Sequence, residues 1–343
     1  MRVMQESVLD AVDRRLLNAL QVEPRASWSA LAPVVGADAA TLSRRWRRLE
    51  EDGVAWVTGR LGAPTPEGAA LIEVECDPQR IAETAAVLAE DPEVFVLDQT
   101  AGSRDLLVTV ACGTQDALAA YVTGRLATLP GVRSLRTHVW IDLFFEGGDW
   151  RLRTLSREEI AAVPSAPRPR PRAAAAVPPR IREILAYELS IDGRASATAI
   201  GHRWGVSPQR IIDAIAVLRQ TGELRLRADI ARRWSEWPVY AWYFIEAPAS
   251  LVEELRVALK KVPQIRLAAL TASRYNLILA VWVRDLPAIH AFEVAFERAA
   301  PGARIQDRSL VLRIVKHMGR ILDDRGQATG RTVPLAPRPD PSG

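Results

Sequence analysis

Residues 25–53 read RASWSALAPVVGADAATLSRRWRRLEEDG, and residues 194–222 read RASATAIGHRWGVSPQRIIDAIAVLRQTG. At a constant offset of 169, Arg25, Ala26, Ser27, Gly36, Leu49 and Gly53 fall on Arg194, Ala195, Ser196, Gly205, Leu218 and Gly222. A second pair of stretches, TAGSRDLLVTV at 100–110 and TASRYNLILAV at 271–281, matches at an offset of 171. Two matches at nearly one offset mark a tandem duplication, and the rest of the chain is read within it.

The quoted stretches are helical. Leu9, Val12, Leu16, Leu17 and Leu20 share one apolar helical face beginning near Asp10. Ser27 is suited to N-cap a second short helix carrying Trp28 and Leu31. Gly36 permits a left-handed turn, and Asp38 caps a third helix whose inner face is Leu42, Trp46 and Leu49. Gly53 ends it, and VAWVTGRL supplies a β-like wing. The second copy repeats this with Ile181, Ile184, Leu185 and Leu189, then 196–204, then 207–220.

Each head is followed by alternating strand and helix signals. In the first copy 70–76, 94–100, 105–112 and 132–145 read as strands, and 78–90 and 114–129 as helices. That is β-α-β-β-α-β, the ferredoxin-like order. The fold class is therefore α+β, with two copies of a winged helix-turn-helix followed by a βαββαβ ferredoxin-like domain. The expected boundaries are 1–62 and 66–148 for the first copy, and 179–234 and 237–320 for the second. Proline and arginine alternate in VPSAPRPRPRAAAAVPP at 163–179, so 149–178 is read as a charged, extended spacer. Residues 321–343, rich in Gly, Pro and Thr, are read as a disordered tail.

Of 343 residues, 48% are hydrophobic and 25% charged, which excludes wholesale disorder. The apolar run LILAVWV at 277–283 is too short to span a bilayer, and MRVMQESVLDAVDRR has no apolar core of a secretory signal. Cys76 and Cys112 offer neither a disulfide framework nor metal-ligand spacing, so a reducing cytoplasm is expected, with no membrane partner. Net charge is +4, and among 45 basic residues only Lys260, Lys261 and Lys316 are lysines. His138, His202, His290 and His317 are scattered, and no phosphate-loop, dinucleotide or nucleophile-elbow motif appears. No cofactor, metal or catalytic residue is expected.

The local feature that carries chemistry is TLSRRWRRLEE at 41–51. With Leu42, Trp46 and Leu49 inward, Thr41, Ser43, Arg44, Arg45, Arg47 and Arg48 form a basic recognition set for the major groove and its phosphates, together with Ser27. The plainer alternative is a solvated basic face with pairs such as Arg47–Glu51. In the second copy Asp213, Ala214 and Val217 replace Arg44, Arg45 and Arg48. There the candidates are Ser207, Gln209 and Arg210, with Arg225 and Arg227 in the wing. This copy either grips backbone through its wing or has lost base reading.

LDAVDRRLLNALQVEPRASWSALAPVVGADAATLSRRWRRLEEDGV at 9–54 resembles the N-terminal domain of the Lrp/AsnC (feast/famine) family of transcriptional regulators, and TAGSRDLLVTV resembles a loop of that family's ligand domain. The resemblance implies a regulator that binds double-stranded DNA and a dimer-forming ligand domain that binds an amino acid or similar small metabolite. It also implies a homo-oligomer. By this resemblance Gly102, Ser103, Arg104 and Asp105 form the effector loop of the first copy, with Asp105 opposite an α-ammonium group. In the second copy Ser273 and Asn276 stand in for Gly102 and Asp105, and an asparagine supplies no countercharge. Self-association of whole chains is expected, since the exposed sheet faces of such domains need partners; the alternative is a covalent pseudo-dimer complete within one chain.

Siroheme decarboxylases resemble the same architecture, some as fused tandem chains, and RYNL at 274–277 is similar to part of their signature. That resemblance implies a histidine just upstream of the strand, whereas neither 262–274 nor 92–104 contains one. The expectation is a regulator and not an enzyme. The alternatives are a siroheme-decarboxylase-like enzyme and an oligomerisation scaffold without DNA binding.

Overall fold

Asp10 accepts a hydrogen bond from the Asp13 amide and Asp13 accepts one from the Asp10 amide, a capping box that opens α1 (Ala11–Val22). Ser27 and Asp38 cap α2 (Trp28–Val35) and α3 (Ala39–Glu51), each accepting from an amide three residues on. Between those helices Gly36 has φ of 84°, a value that side chains resist. In chain order there follow β1 (Ala55–Leu61), β2 (Ala69–Cys76), α4 (Ile81–Ala89), β3 (Val94–Ala101) and β4 (Leu106–Ala111). Then come α5 (Gln115–Ala120), continued by a π-helical turn at Tyr121–Leu126, β5 (Val132–Phe145) and α6 (Arg157–Ala162). The order from α1 to β5 recurs as α7 (Pro179–Ile191), α8 (Ala197–Trp204), α9 (Pro208–Gln220), β6 (Leu224–Ile230), β7 (Val239–Glu246), α10 (Ala249–Leu259), β8 (Ile265–Ala272), β9 (Leu277–Val283), α11 (Pro287–Ala299) and β10 (Arg304–His317). Two short strands, β11 (Arg320–Leu322) and β12 (Ala328–Thr332), close the run. This computed structural model describes residues 9–62, 67–170 and 176–340.

The chain divides into two units, and each unit holds one half of both copies. The first contains the two helical heads. The segment expected as a wing is a single strand in each head, and one strand alone leaves its ladder groups unpaired. β1 and β6 therefore pair with each other, antiparallel, from Ala55 opposite Ile230 to Leu61 opposite Leu224. Close approach of the heads depends on two glycines. A Cβ on Gly59 would lie 2.8 Å from the Leu189 Cβ, and one on Gly193 would lie 2.5 Å from the Val57 side chain.

A reciprocal pair of arginines completes this junction. Arg25 donates to the carbonyls of Gly193 (2.6 Å) and Ala195 (2.9 Å) in the other head. Arg194, its counterpart at the offset of 169, donates to the carbonyls of Pro24 and Ala26. The Arg194 guanidinium also lies 4.0 Å from the ring centre of Trp28. Arg219 adds a bidentate pair to buried Glu23 at 2.8 and 2.7 Å. Burial pushes both Arg25 and Arg194 below the usual arginine range, Arg194 to about 10.

In the second unit the two ferredoxin-like halves share one sheet. Each half alone would present two open edges. β5 instead pairs with β2 along its first part and with β8 along its second, while β10 pairs with β7 and then β3. The order β10-β3-β4-β2-β5-β8-β9-β7 then returns to β10, a closed ring of eight strands. Side chains alternate across it. Ala70, Ile72 and Val74 of β2 pack under the helices of the first half, and Ala241, Tyr243 and Ile245 of β7 under those of the second. The edges of both halves are thus paired within this one chain.

Two sequence expectations are corrected. The stretch 149–178 is not a spacer throughout: Leu155 and Val163 are buried in the core of the first head. The backbone at 152–155 is also held by Asn18 and Gln21 of α1, with Leu152, Thr154 and Leu155 amides donating at 2.8–3.0 Å. Nor is the tail disordered from 321, since β11 pairs with β10, and β12 with β11. Ladder hydrogen bonding outweighs the glycine and proline content there.

One buried charge in the second unit is open to a pH test. Lys316 of β10 is fully buried and donates to the Asp91 carbonyl at 2.8 Å. Burial lowers it to about 8, against the opposing pull of Asp91, Glu90 and Glu93. Its unfolded value is higher, so between the two the unfolded chain binds more protons and stability rises with pH. Below the folded value the buried charge is a constant cost. Denaturant unfolding of Lys316→Met should therefore show an advantage over the parent near pH 7 that shrinks by roughly 3 kcal/mol as pH approaches 10.5. Parallel stability profiles for the two proteins would contradict the assignment.

Candidate functional site

The outer face of α3 combines two kinds of arginine. Arg44 and Arg47 are exposed, and among the described residues neither makes an ion pair. Arg44 only approaches the Thr41 hydroxyl, at 3.5 Å. Arg45 and Arg48 are tied to α1 instead. Arg45 meets Asp10 at 2.6 Å and Asp13 at 2.9 Å, and Arg48 meets the buried Asp13 at 2.6 Å. The two acids that cap α1 thus also brace α3 against it. Thr41 bonds to Asp38, Ser27 serves as a helix cap, and Ser43 is half-buried beside Arg44. The face expected to recognise nucleic acid narrows to Thr41, Ser43, Arg44 and Arg47, with Arg48 at its margin.

The corresponding face of α9 carries less positive charge. Ser207 caps the helix, Gln209 bonds to Asp213 at 3.2 Å, and Arg210 is exposed. Asp213 itself is held by Arg170 through two hydrogen bonds of 2.9 and 2.6 Å, so the proline–arginine stretch supplies a cation where the helix lacks one. Arg170 keeps the Asp213 carboxyl below the usual range. The two arginines expected to grip backbone are placed differently. Arg227 pairs with Asp229 at 2.6 Å, and Arg225 lies opposite Arg60 in the β1–β6 ladder. Arg172 lies outside the described residues.

In the second unit the two candidate effector loops converge. Asp105 accepts from the Cys76 amide at 2.7 Å, and Asn276 holds the Ala247 amide and carbonyl at 3.0 and 2.7 Å. Cys76 and Ala247 are equivalent at the offset of 171, so this position pins its loop to the adjoining strand end in both halves. The carboxylate of Asp105 expected to face an ammonium group is engaged with backbone. Gly102 and Ser103 are exposed, and Ser103 bonds to Asp307 at 3.1 Å.

Arg104 is the loop residue that turns inward. It is buried, 3.0 Å from Glu73 and 2.6 Å from Asp307, and donates to Ser309 at 2.7 Å. Its guanidinium lies 4.1 Å from the ring centre of Phe244. The other oxygen of Glu73 is 2.8 Å from His138 Nε2, and His138 Nδ1 is 2.8 Å from the Ser273 hydroxyl. With the Nε2 proton donated to Glu73, Nδ1 can accept from Ser273, whose hydroxyl can alternatively donate to the Tyr275 carbonyl at 3.0 Å. The resulting chain, Ser273–His138–Glu73–Arg104, can relay a proton among its members, and Arg104 in it is balanced by Glu73 and Asp307. Sequence reading missed Glu73, His138 and Asp307 as a cluster because they lie on three different strands, β2, β5 and β10, the last of them in the second copy.

Family models match the chain in two places: the AsnC-type helix-turn-helix domain at residues 9–50 and the Lrp/AsnC ligand binding domain at residues 69–149. The first half therefore carries both domain types of the Lrp/AsnC family. An uncharacterised HTH-type transcriptional regulator of Pyrococcus furiosus is 29% identical over 135 residues, covering 38% of this chain and 91% of that one. The Bkd operon transcriptional regulator of Pseudomonas aeruginosa is also 29% identical over 135 residues, covering 38% and 88%.

Along nearly its whole length the chain is similar in fold to the siroheme decarboxylase NirDL, with a TM-score of 0.57, 16% identity, and coverage of 90% of this chain and 93% of that one. A second structure of that enzyme, with an iron-uroporphyrin III analogue, gives 0.55 over 90% of this chain. This corrects the expectation that the chain is not an enzyme: the fold of both copies together is one that an enzyme carries. Among the described residues, no helix is long and apolar enough to cross a membrane.

The Glu73 cluster makes a stability test. Glu73→Gln keeps the shape but leaves buried Arg104 with Asp307 as its carboxylate partner. Removing one member of a buried pair costs about 3 kcal/mol or more, whereas a surface charge change costs under about 1 kcal/mol. Urea unfolding should show the larger loss. A loss at the surface level would mean that Arg104 is held by Asp307 and Ser309 alone.

Proposed function

We propose that this protein is a DNA-binding transcriptional regulator whose single chain supplies two joined reading heads. The observation that carries the reading is the exposed α3 face, where Arg44 and Arg47 stand without ion pairs among the described residues, beside Thr41 and Ser43 on the second helix of a helix-turn-helix. Arginine in that position suits guanine edges and flanking phosphates. The α9 face, with Gln209, Arg210 and an Asp213 masked by Arg170, makes a weaker second contact, so the favoured operator is asymmetric. Whole-chain association, which the family implies, would add to this arrangement rather than create it.

Effector control belongs to the same reading. The site with the right chemistry is the meeting point of the two loops, where Arg104, His138 and Ser273 face a shared cluster. Arg104 is already balanced there by Glu73 and Asp307, so the cluster suits the ammonium group of a small metabolite better than its carboxylate, and Asp105, bonded to backbone, is not its partner.

A second reading is favoured by one observation, the fold likeness to siroheme decarboxylase over nine-tenths of the chain. Here siroheme would be the substrate, and His138, braced by Glu73, would be the group able to move a proton.

Two measurements separate the readings. On a duplex selected from a random pool, Arg44→Ala/Arg47→Ala should weaken binding by roughly 1–3 kcal/mol for each base read, and flatten the salt dependence by about one unit for each phosphate no longer neutralised. Arg48→Ala should lower stability more than affinity. Unchanged affinity and salt slope in the double variant would remove α3 as the reading element. Incubation of the protein with siroheme, followed by absorbance and mass, tests the other reading: decarboxylated product would establish it, and intact siroheme would exclude it.

A further inference from the structure

In the second ferredoxin-like half, a cavity of about 640 Å³ opens between α10, α11 and the sheet beneath them. That volume lies within the range of small-molecule sites. Its walls are Leu255, Leu259, Val262, Phe292 and Phe296, with alanines at 288, 291, 295 and 299 leaving room along α11. Trp237, Arg284 and Asp285 stand among the lining residues as its polar end.

The duplication provides an internal control. At the offset of 171, Val262, Phe292 and Phe296 correspond to Asp91, Tyr121 and Arg125. In the first half those three side chains bond to one another, Tyr121 to Asp91 at 2.8 Å and Arg125 to Asp91 at 2.8–3.3 Å, with Lys316 on the Asp91 carbonyl. The counterpart of Lys316 is Phe145, part of the apolar core of the second half. One copy thus fills this place with a polar network, and the other has exchanged every member for an apolar side chain around a hollow.

Arg284 stands at the same place, where the first half has Gly113. It is exposed, lies 5.4 Å from the ring centre of Trp237, and makes no ion pair among the described residues. The one lining carboxylate, Asp285, is occupied in accepting from the Ala288 amide at 2.9 Å. A cavity with apolar walls and a single cation without a carboxylate partner at its polar end matches a ligand with an apolar chain and one negative head.

We propose that the α10–α11 cavity is a binding site for an aliphatic monocarboxylate, its chain among Leu255, Leu259, Phe292 and Phe296 and its carboxylate on Arg284. The site is separate from the Glu73–His138 cluster and does not depend on DNA binding.

The test is a calorimetric titration of the full chain with sodium salts from hexanoate to dodecanoate, each below its micelle concentration. Affinity should rise about fourfold per added methylene until the cavity is full. Arg284→Gln should weaken decanoate about fivefold while leaving decanol unchanged. Ala295→Phe, which fills the groove, should abolish binding while retaining the parent circular dichroism spectrum. Absence of saturable binding, equal affinity for decanol and decanoate in the parent, or undiminished binding in a folded Ala295→Phe would each overturn the proposal. So would a dimer in sedimentation that Ala295→Phe dissolves without any acid binding, because the groove would then belong to a second copy of the chain.

Discussion

The reciprocal clamp of Arg25 and Arg194 is the constraint on which the heads depend. Each arginine is half-buried and bridges two carbonyls of the opposite head. A buried charge is tolerated only when its donors are met, and these carbonyls lie in the turns between helices, outside any strand ladder. Loss of one arginine would orphan two acceptors in the other head. The close contacts of Gly59 and Gly193 and the β1–β6 ladder follow from the same approach distance. The strands that elsewhere would flank a helix-turn-helix as free wings are consumed in joining the heads, so the proposed DNA contact would fall to the helices alone.

The ring of strands applies the same principle in the second unit. Each half supplies one long strand, β5 or β10, that serves its own sheet first and the other copy's sheet next. Closure protects every edge of the ring and leaves the two copies free to diverge inside it. They diverge where chemistry is possible. Glu73, His138 and Arg104 have Phe244, Ser309 and Tyr275 as counterparts, so two equivalent sites merge into one asymmetric cluster. The Lys316 network and the α10–α11 cavity are a second such exchange. A single-unit chain pairing with itself would be bound to keep both halves identical.

Much of the architecture was legible because it is periodic. The offsets of 169 and 171, the caps at Ser27 and Asp38, and the apolar spacing of Leu42, Trp46 and Leu49 are local signals, and the element order follows from them. A pseudo-dimer within one chain was a legible alternative, but the residues that pair the copies were not legible. The sequence places the start of α1 near Asp10, and nothing around Asp10 and Asp13 says that they take Arg45 and Arg48 from the outer face of α3. The segments 102–105 and 273–276 do join strands, but the chemistry assigned to Asp105 ignored the backbone amide it meets. His138 reads as isolated because its partners, Glu73 and Ser273, are 65 and 135 residues away. The linker misled in the opposite way: its proline–arginine composition hid Leu155 and Val163, two ordinary core residues, and Asn18 on α1 was the polar signal of something docked there.

The central claim is that the two copies pair within one chain. Arg60 and Arg225 face each other across the β1–β6 ladder and can be replaced together by cysteine. Mild oxidation of Arg60→Cys/Arg225→Cys, analysed by non-reducing electrophoresis and mass spectrometry of the joined peptides, reads the pairing directly. Intra-chain pairing predicts a bridged species at the single-chain mass of 37.8 kDa, with a yield independent of protein concentration. Covalent dimers at twice that mass, forming in place of the bridged monomer, would show that the heads pair between chains and would contradict the account.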